Sequence, residues 1–172
     1  MTFSLGRTAA TTAIIFFAGI ASAFAQSGPT LLGTFDAWEA YKNSDARGTV
    51  CWAVTQPQTK EPATAKRDPI YFIITTWPKQ SIANEPSIVI GYPFKDGGQA
   101  TVEVGSDKFN FFTKADGAWL QSKPDEQRLI TAMRGAGEMT VKGVSKRGTL
   151  TTDTYSLKGI SAALDKVAEG CK

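Results

Sequence analysis

The 172-residue sequence contains no histidine, and that absence removes a set of chemistries at once. Without an imidazole there is no Ser-His-Asp or Cys-His catalysis, and the commonest transition-metal ligand is missing. Cysteine is scarce, with only Cys51 and Cys171, so a zinc site would have to draw on a pair that is itself expected to be bridged. No run of carboxylates has the spacing of a calcium loop. An excess of one charge is also lacking: 19 Lys and Arg against 16 Asp and Glu, a formal charge of +3, interspersed along the chain. Such a balance makes no electrostatic case for nucleic acid as a partner. Beyond the first 25 residues no apolar stretch approaches the roughly 20 residues that a membrane-spanning helix needs. No internal repeat and no second domain are visible.

What is present begins with a patterned N-terminus. Met1 to Ala25 places Arg7 before an apolar core around Ala13 to Ile20 and ends in Ala23-Phe24-Ala25, which predicts a secretory signal peptide over residues 1–25. Its removal leaves about 147 residues, enough for one domain with a core, and no membrane anchor. Residues 26–34, QSGPTLLGT, show no periodicity and predict a flexible leader, so the domain is expected over 35–172. Export gives the cysteines a meaning, because two thiols in an oxidising compartment tend to be joined. Closing a loop of that length would contribute roughly 4–5 kcal/mol in the chain-entropy model. Two free thiols, or a bridge between chains, are the alternatives.

Short β-type runs dominate the rest. Phe35 to Lys42 fits a first strand or a short turn. Val50 to Gln56 predicts a strand carrying Cys51, ended by Pro57. The polar, proline-rich run Pro57 to Pro69 predicts a mobile loop with no binding motif. Ile70 to Trp77 predicts a central core strand and Ser87 to Tyr92 another. Ala100 to Val104 and Lys108 to Thr113 predict a hairpin with Phe109 and Phe111 on one face and Phe112 on the other. Pro124 to Ala136 predicts the one internal helix, with acids in its first turn and Leu129, Ile130 and Met133 on one side. Glu138 to Val144 predicts a strand with Met139 and Val141 inward. The last block predicts a strand over Arg147 to Leu157 and a helix over Ile160 to Ala168, with Cys171 on its apolar stripe. Seven or eight short strands with turn residues between them argue for an all-β sandwich or closed barrel.

Few residues offer chemistry. Ser122-Lys123 and Ser145-Lys146 hold the pieces of a Ser-Lys nucleophile pair, but strand neighbours point to opposite faces. Gly135-Ala136-Gly137 follows a helix and precedes a strand, the reverse of the order in a phosphate-cradling loop. Strand alternation puts Asp153 and Tyr155 on one face, where a buried hydrogen bond between acid and phenol is expected. Arg147, grouped with Lys142, Lys146 and Arg134, forms a basic cluster that could meet an anionic surface or simply be a solvated turn.

Three segments carry a likeness: CWAVTQP at Cys51 to Pro57, IVIGYPFKDGG at Ile88 to Gly98, and MTVKGVSKRGTLTTDTYSLKGISAALDKVAEGC at Met139 to Cys171. Together they resemble the invasion-associated locus B family of exported bacterial proteins. The resemblance implies an immunoglobulin-like β-sandwich with one internal helix and a C-terminal helix, in a Gram-negative envelope or secreted. It implies cysteines at the positions of Cys51 and Cys171, and, for the members that named the family, a part in entry into host red cells. No catalytic residue, metal or cofactor comes with it. The expectation is therefore a monomeric, disulfide-stabilised, non-enzymatic binding protein, periplasmic or secreted, whose partner is an unidentified envelope or host-surface protein. Arg147, Asp153 and Tyr155 are its candidate interaction or structural residues. The rival readings are a glycan-acting enzyme using paired acids such as Asp153 and Glu138, and a structural or chaperone-like envelope factor with an open sheet edge.

Overall fold

The structure, a computed structural model, describes residues 28–172; the expected signal peptide lies outside them. Eleven strands form one antiparallel sheet: β1 Thr30–Phe35, β2 Trp38–Asp45, β3 Gly48–Thr55, β4 Thr59–Glu61, β5 Tyr71–Trp77, β6 Ile82–Val89, β7 Gln99–Val104, β8 Asp107–Lys114, β9 Gly117–Trp119, β10 Glu138–Val144 and β11 Leu150–Ser156. Helix α1 spans Lys123–Gly135 and α2 spans Ile160–Gly170. The strand order is β1-β2-β3-β5-β6-β9-β8-β7-β10-β11-β4. Phe72 of β5 lies 6.5 Å from the ring of Phe111 in β8 and 6.0 Å from Tyr155 in β11. Those strands are not neighbours in the sheet, so the sheet must fold over and pack its own inner face against itself. The result is the expected all-β sandwich with one internal and one C-terminal helix.

Local sequence explains most elements. β3 and β10 alternate buried and half-exposed positions, with Cys51, Ala53 and Thr55, then Met139, Val141 and Gly143, inward, the period-2 pattern of a strand with one face on the core. α1 starts at Ser122, whose hydroxyl accepts from the Asp125 amide, and buries Leu129, Ile130 and Met133. α2 buries Ile160, Ala163, Leu164 and Val167 and lies against β1, β2 and β3; Ala168, expected on the same stripe, is exposed. Cys171, just past α2, is bonded to Cys51 with Cα atoms 5.9 Å apart, which ties the end of the chain to the inner face of β3.

Several expectations are corrected. The leader is not featureless, since β1 begins at Thr30 and pairs with β2 through a register shift between Leu31 and Gly33. As an edge strand with Leu31 half exposed, it carries no clean alternation to read. The 57–69 segment is not a free loop, because β4 within it pairs with β11. β6 starts at Ile82, earlier than expected, passing through Asn84 at φ 53° and through Pro86. Ile90 to Phe94 then leaves the ladder, with all but Pro93 buried. β4 and β9 have three residues each, too few to show a period, which is why the strand count exceeds seven or eight.

Candidate binding site around the 57–69 loop

Pro57 ends β3, and the chain crosses to the far edge of the sheet, where the Gln58 amide donates to the Thr154 carbonyl at 2.7 Å and β4 lines up with Thr152, Asp153 and Thr154. A turn closed by the Ala65 amide on the Pro62 carbonyl brings the chain back, and Arg67 then enters the interior with its side chain 5% exposed. Its Nη1 and Nη2 donate to Oδ1 and Oδ2 of Asp153, both at 2.6 Å. Its Nε and Nη2 donate to the Ile90 carbonyl at 3.0 and 2.7 Å. The guanidinium lies 5.0 Å from the ring centre of Tyr92. Asp153 is fully buried, and a buried carboxylate is tolerable only with such a bidentate partner. The next residue docks equally closely: the Asp68 amide donates to the Gly91 carbonyl at 3.0 Å. Gly91 has φ 77°, and a Cβ there would run into the Asp68 carbonyl oxygen, so only glycine lets the two segments approach.

Two phenols lie beside this ion pair. Tyr92 shares a 2.6 Å hydrogen bond with Thr151; burial pushes its pKa above the usual phenol value, against a smaller lowering by Thr151 and Arg67. Tyr155 is held well above the phenol range, first by burial and then by the charge of Asp153, and its hydroxyl has no protein hydrogen-bond partner. Asp153 and Tyr155 do share a buried face, but the expected bond between them is not made: Arg67 is the partner of both carboxylate oxygens. Neither phenol can act as a base near neutral pH.

Two clefts flank the loop. The larger, about 640 Å³, runs between the loop and the start of β5 past Gln56, Lys60 and Tyr71. The second, about 360 Å³, lies between the loop and the turn after β10, with Lys66, Arg67, Tyr92, Arg147, Thr149 and Thr151 around it. Arg147 thus faces the loop instead of the basic residues near it in sequence. Lys142 is bonded to Glu103, Lys146 lies 3.8 Å from Asp96, and Arg134 pairs with Asp165, so three of the four basic residues each have an acid partner.

The other candidates form no reactive arrangement. Ser122 caps α1, and Lys123 reaches back to the Ser81 carbonyl. Ser145 accepts from the Thr149 amide. Glu138 stands opposite Ser156 while Asp153 stands opposite Val141, so the two acids do not face each other in a cleft. Among the described residues no group of three or more His, Cys, Asp or Glu could hold a metal ion, and no helix is long and apolar enough to cross a membrane. Arg67 stands in a segment without periodicity, and its burial is not legible in the sequence. A signal existed in the inward Asp153, which demands a buried cation, but nothing local says which of 19 basic residues supplies it.

A sandwich tied across its length by a disulfide and by a buried arginine–aspartate pair is a disulfide-braced β-domain of the sort found in oxidising compartments. The chain belongs to the invasion associated locus B (IalB) family, whose pattern matches residues 38–168, from the start of β2 to within α2. Among solved structures it is similar to the crystal structure of invasion associated protein B from Bartonella henselae, with a TM-score of 0.56 and 11% identity over 83% of this chain and 97% of that one, a likeness of fold. No curated protein sequence matches it.

Proposed function

We propose that this protein is an exported, non-enzymatic binding module that works as a monomer in the periplasm or after secretion, and that the 57–69 loop with its two clefts is the working face. One observation carries the reading. The buried acid that could have served catalysis is spent, through both oxygens, on fixing Arg67 and hence the loop, which is what a preorganised recognition surface needs and an acid–base site cannot afford. The partner is an envelope component or, in a pathogen, a host surface; the names of the family and of the Bartonella structure support a part in host-cell entry. Cross-linking on intact cells, followed by fractionation and mass spectrometry, tests this. Capture of one specific partner through Lys60 or Lys66 is the expected result. A monomer that links to nothing above background, yet turns over glycan material, would overturn it.

A further inference from the structure

The second cleft differs from the rest of the surface in its charge. Lys66 and Arg147 are exposed at its mouth, and neither is in an ion pair among the described residues. No carboxylate lines it, since the nearby Asp153 is sealed below, fully buried and held by Arg67. Hydroxyls fill the space between the cations, from Thr64 on the loop to Ser145 and Thr149 on the opposite turn, over a floor of Tyr92 and Thr151. The Ser145 hydroxyl accepts from the Thr149 amide, which shapes that turn and leaves the hydroxyl proton to donate. A volume of about 360 Å³ falls in the range of small-ligand sites. Two unpaired cations facing a common hollow favour an oxyanion, and the exposed hydroxyls of Thr64 and Thr149 beside them favour a ligand that carries hydroxyls of its own.

We infer that this cleft is a subsite for an oxyanion-bearing sugar, the charged residue of an acidic glycan, with Lys66 and Arg147 on its phosphate or carboxylate and Thr64 and Thr149 on its ring hydroxyls. The inference rests on the binding-module reading and supplies the chemistry of its partner. The full chain, with its disulfide formed, is titrated with glucuronate, glucose 6-phosphate, inorganic phosphate and neutral glucose while backbone amide signals are followed by NMR. Expected are saturable shifts at Lys66, Arg147, Thr149 and Thr151 with the charged sugars, weakened by added salt. Binding should be at least tenfold weaker for glucose and for inorganic phosphate, and the stronger of the two charged sugars identifies the oxyanion. Lys66→Gln with Arg147→Gln should cut affinity at least tenfold, and Lys79→Gln, just past the end of β5 remote from the loop, should not change it. Equal binding of glucose, equal binding of inorganic phosphate, shifts scattered over other lysines, or unchanged affinity in the double variant would each overturn the subsite. Should the double variant still capture a specific partner on cells at the parent level, the subsite fails while the binding-module reading stands.

Discussion

Arg67 makes four hydrogen bonds, two to Asp153 and two to the Ile90 carbonyl, and through them one side chain joins the loop, the buried segment after β6 and the core of β11. Removing either partner strands a charge in the interior, so Arg67→Ala or Asp153→Ala should each lower stability by about 3–5 kcal/mol. The double variant should fall well short of the sum, because the two changes abolish one interaction; denaturant unfolding of the four proteins checks this. Tyr155 makes the opposite case. Its hydroxyl has no protein partner, so Tyr155→Phe should leave stability unchanged or raise it by up to about 1 kcal/mol, and a loss of more than that in the same assay would show the hydroxyl to be bonded. At this scale the sequence was half legible. Inward Asp153 and Tyr155 follow from strand alternation, whereas Arg67 lies 86 residues from its acid in a segment with no periodicity, and Arg147 acquires its neighbours only when two turns meet.

Elements with a buried face announced themselves, and elements at the margins did not. The hairpin of β7 and β8 follows from Phe109 and Phe111 inward against Phe112 outward, and α1 from its cap and its apolar stripe. β1 and β4 are edge strands with no fully buried side chain, and β9, though buried within the sheet, is three residues long and too short to show a period. Electrostatics also links elements: Glu103 on β7 is bonded to Lys142 on β10 at 2.8 Å and to Lys108 on β8 at 2.9 Å, and first Lys142, then Lys108, lower its pKa to about 2. Between the ordinary carboxylate value of 4.5 and about 2 the unfolded chain therefore binds the proton that the folded chain refuses. The stabilisation from Glu103 is complete above that window and fades as pH falls through it. Glu103→Gln should flatten the stability–pH curve there, as read by thermal melts across pH 2 to 5. α2 depends on its covalent tether. Cys171→Ser should cost about 4–5 kcal/mol, less any native strain, and hydrogen exchange should show α2 opening before the strands; equal melting temperatures for variant and parent under oxidising conditions would refute this.

The whole molecule is closed where its two halves meet. The Trp38 indole donates to the Ser156 carbonyl at 3.0 Å, the Ala37 amide to Lys158, and Thr55 Oγ1 to Ala37, which draws the β1–β2 turn, the end of β3 and the end of β11 together. Gly159, at φ 88°, packs so tightly against Phe35 that a Cβ would strike its carbonyl oxygen. Trp38 is fully buried and stacked edge-on against Phe72, so Trp38→Ala should cost about 3–5 kcal/mol, measured by denaturant unfolding, and should loosen both halves in exchange experiments. The all-β class, the two helices, the inward residues of the long strands and the lack of imidazole chemistry are legible along the chain, because each of these depends on residue type or on spacing between near neighbours. That Arg67 clamps the loop, that β4 closes on β11, that Lys142, Lys146 and Arg134 each meet an acid and that Arg147 lines a cleft with Lys66 is visible in the folded chain alone. Those are meetings between segments distant along the chain, and they exist only after the sheet has folded over on its own core.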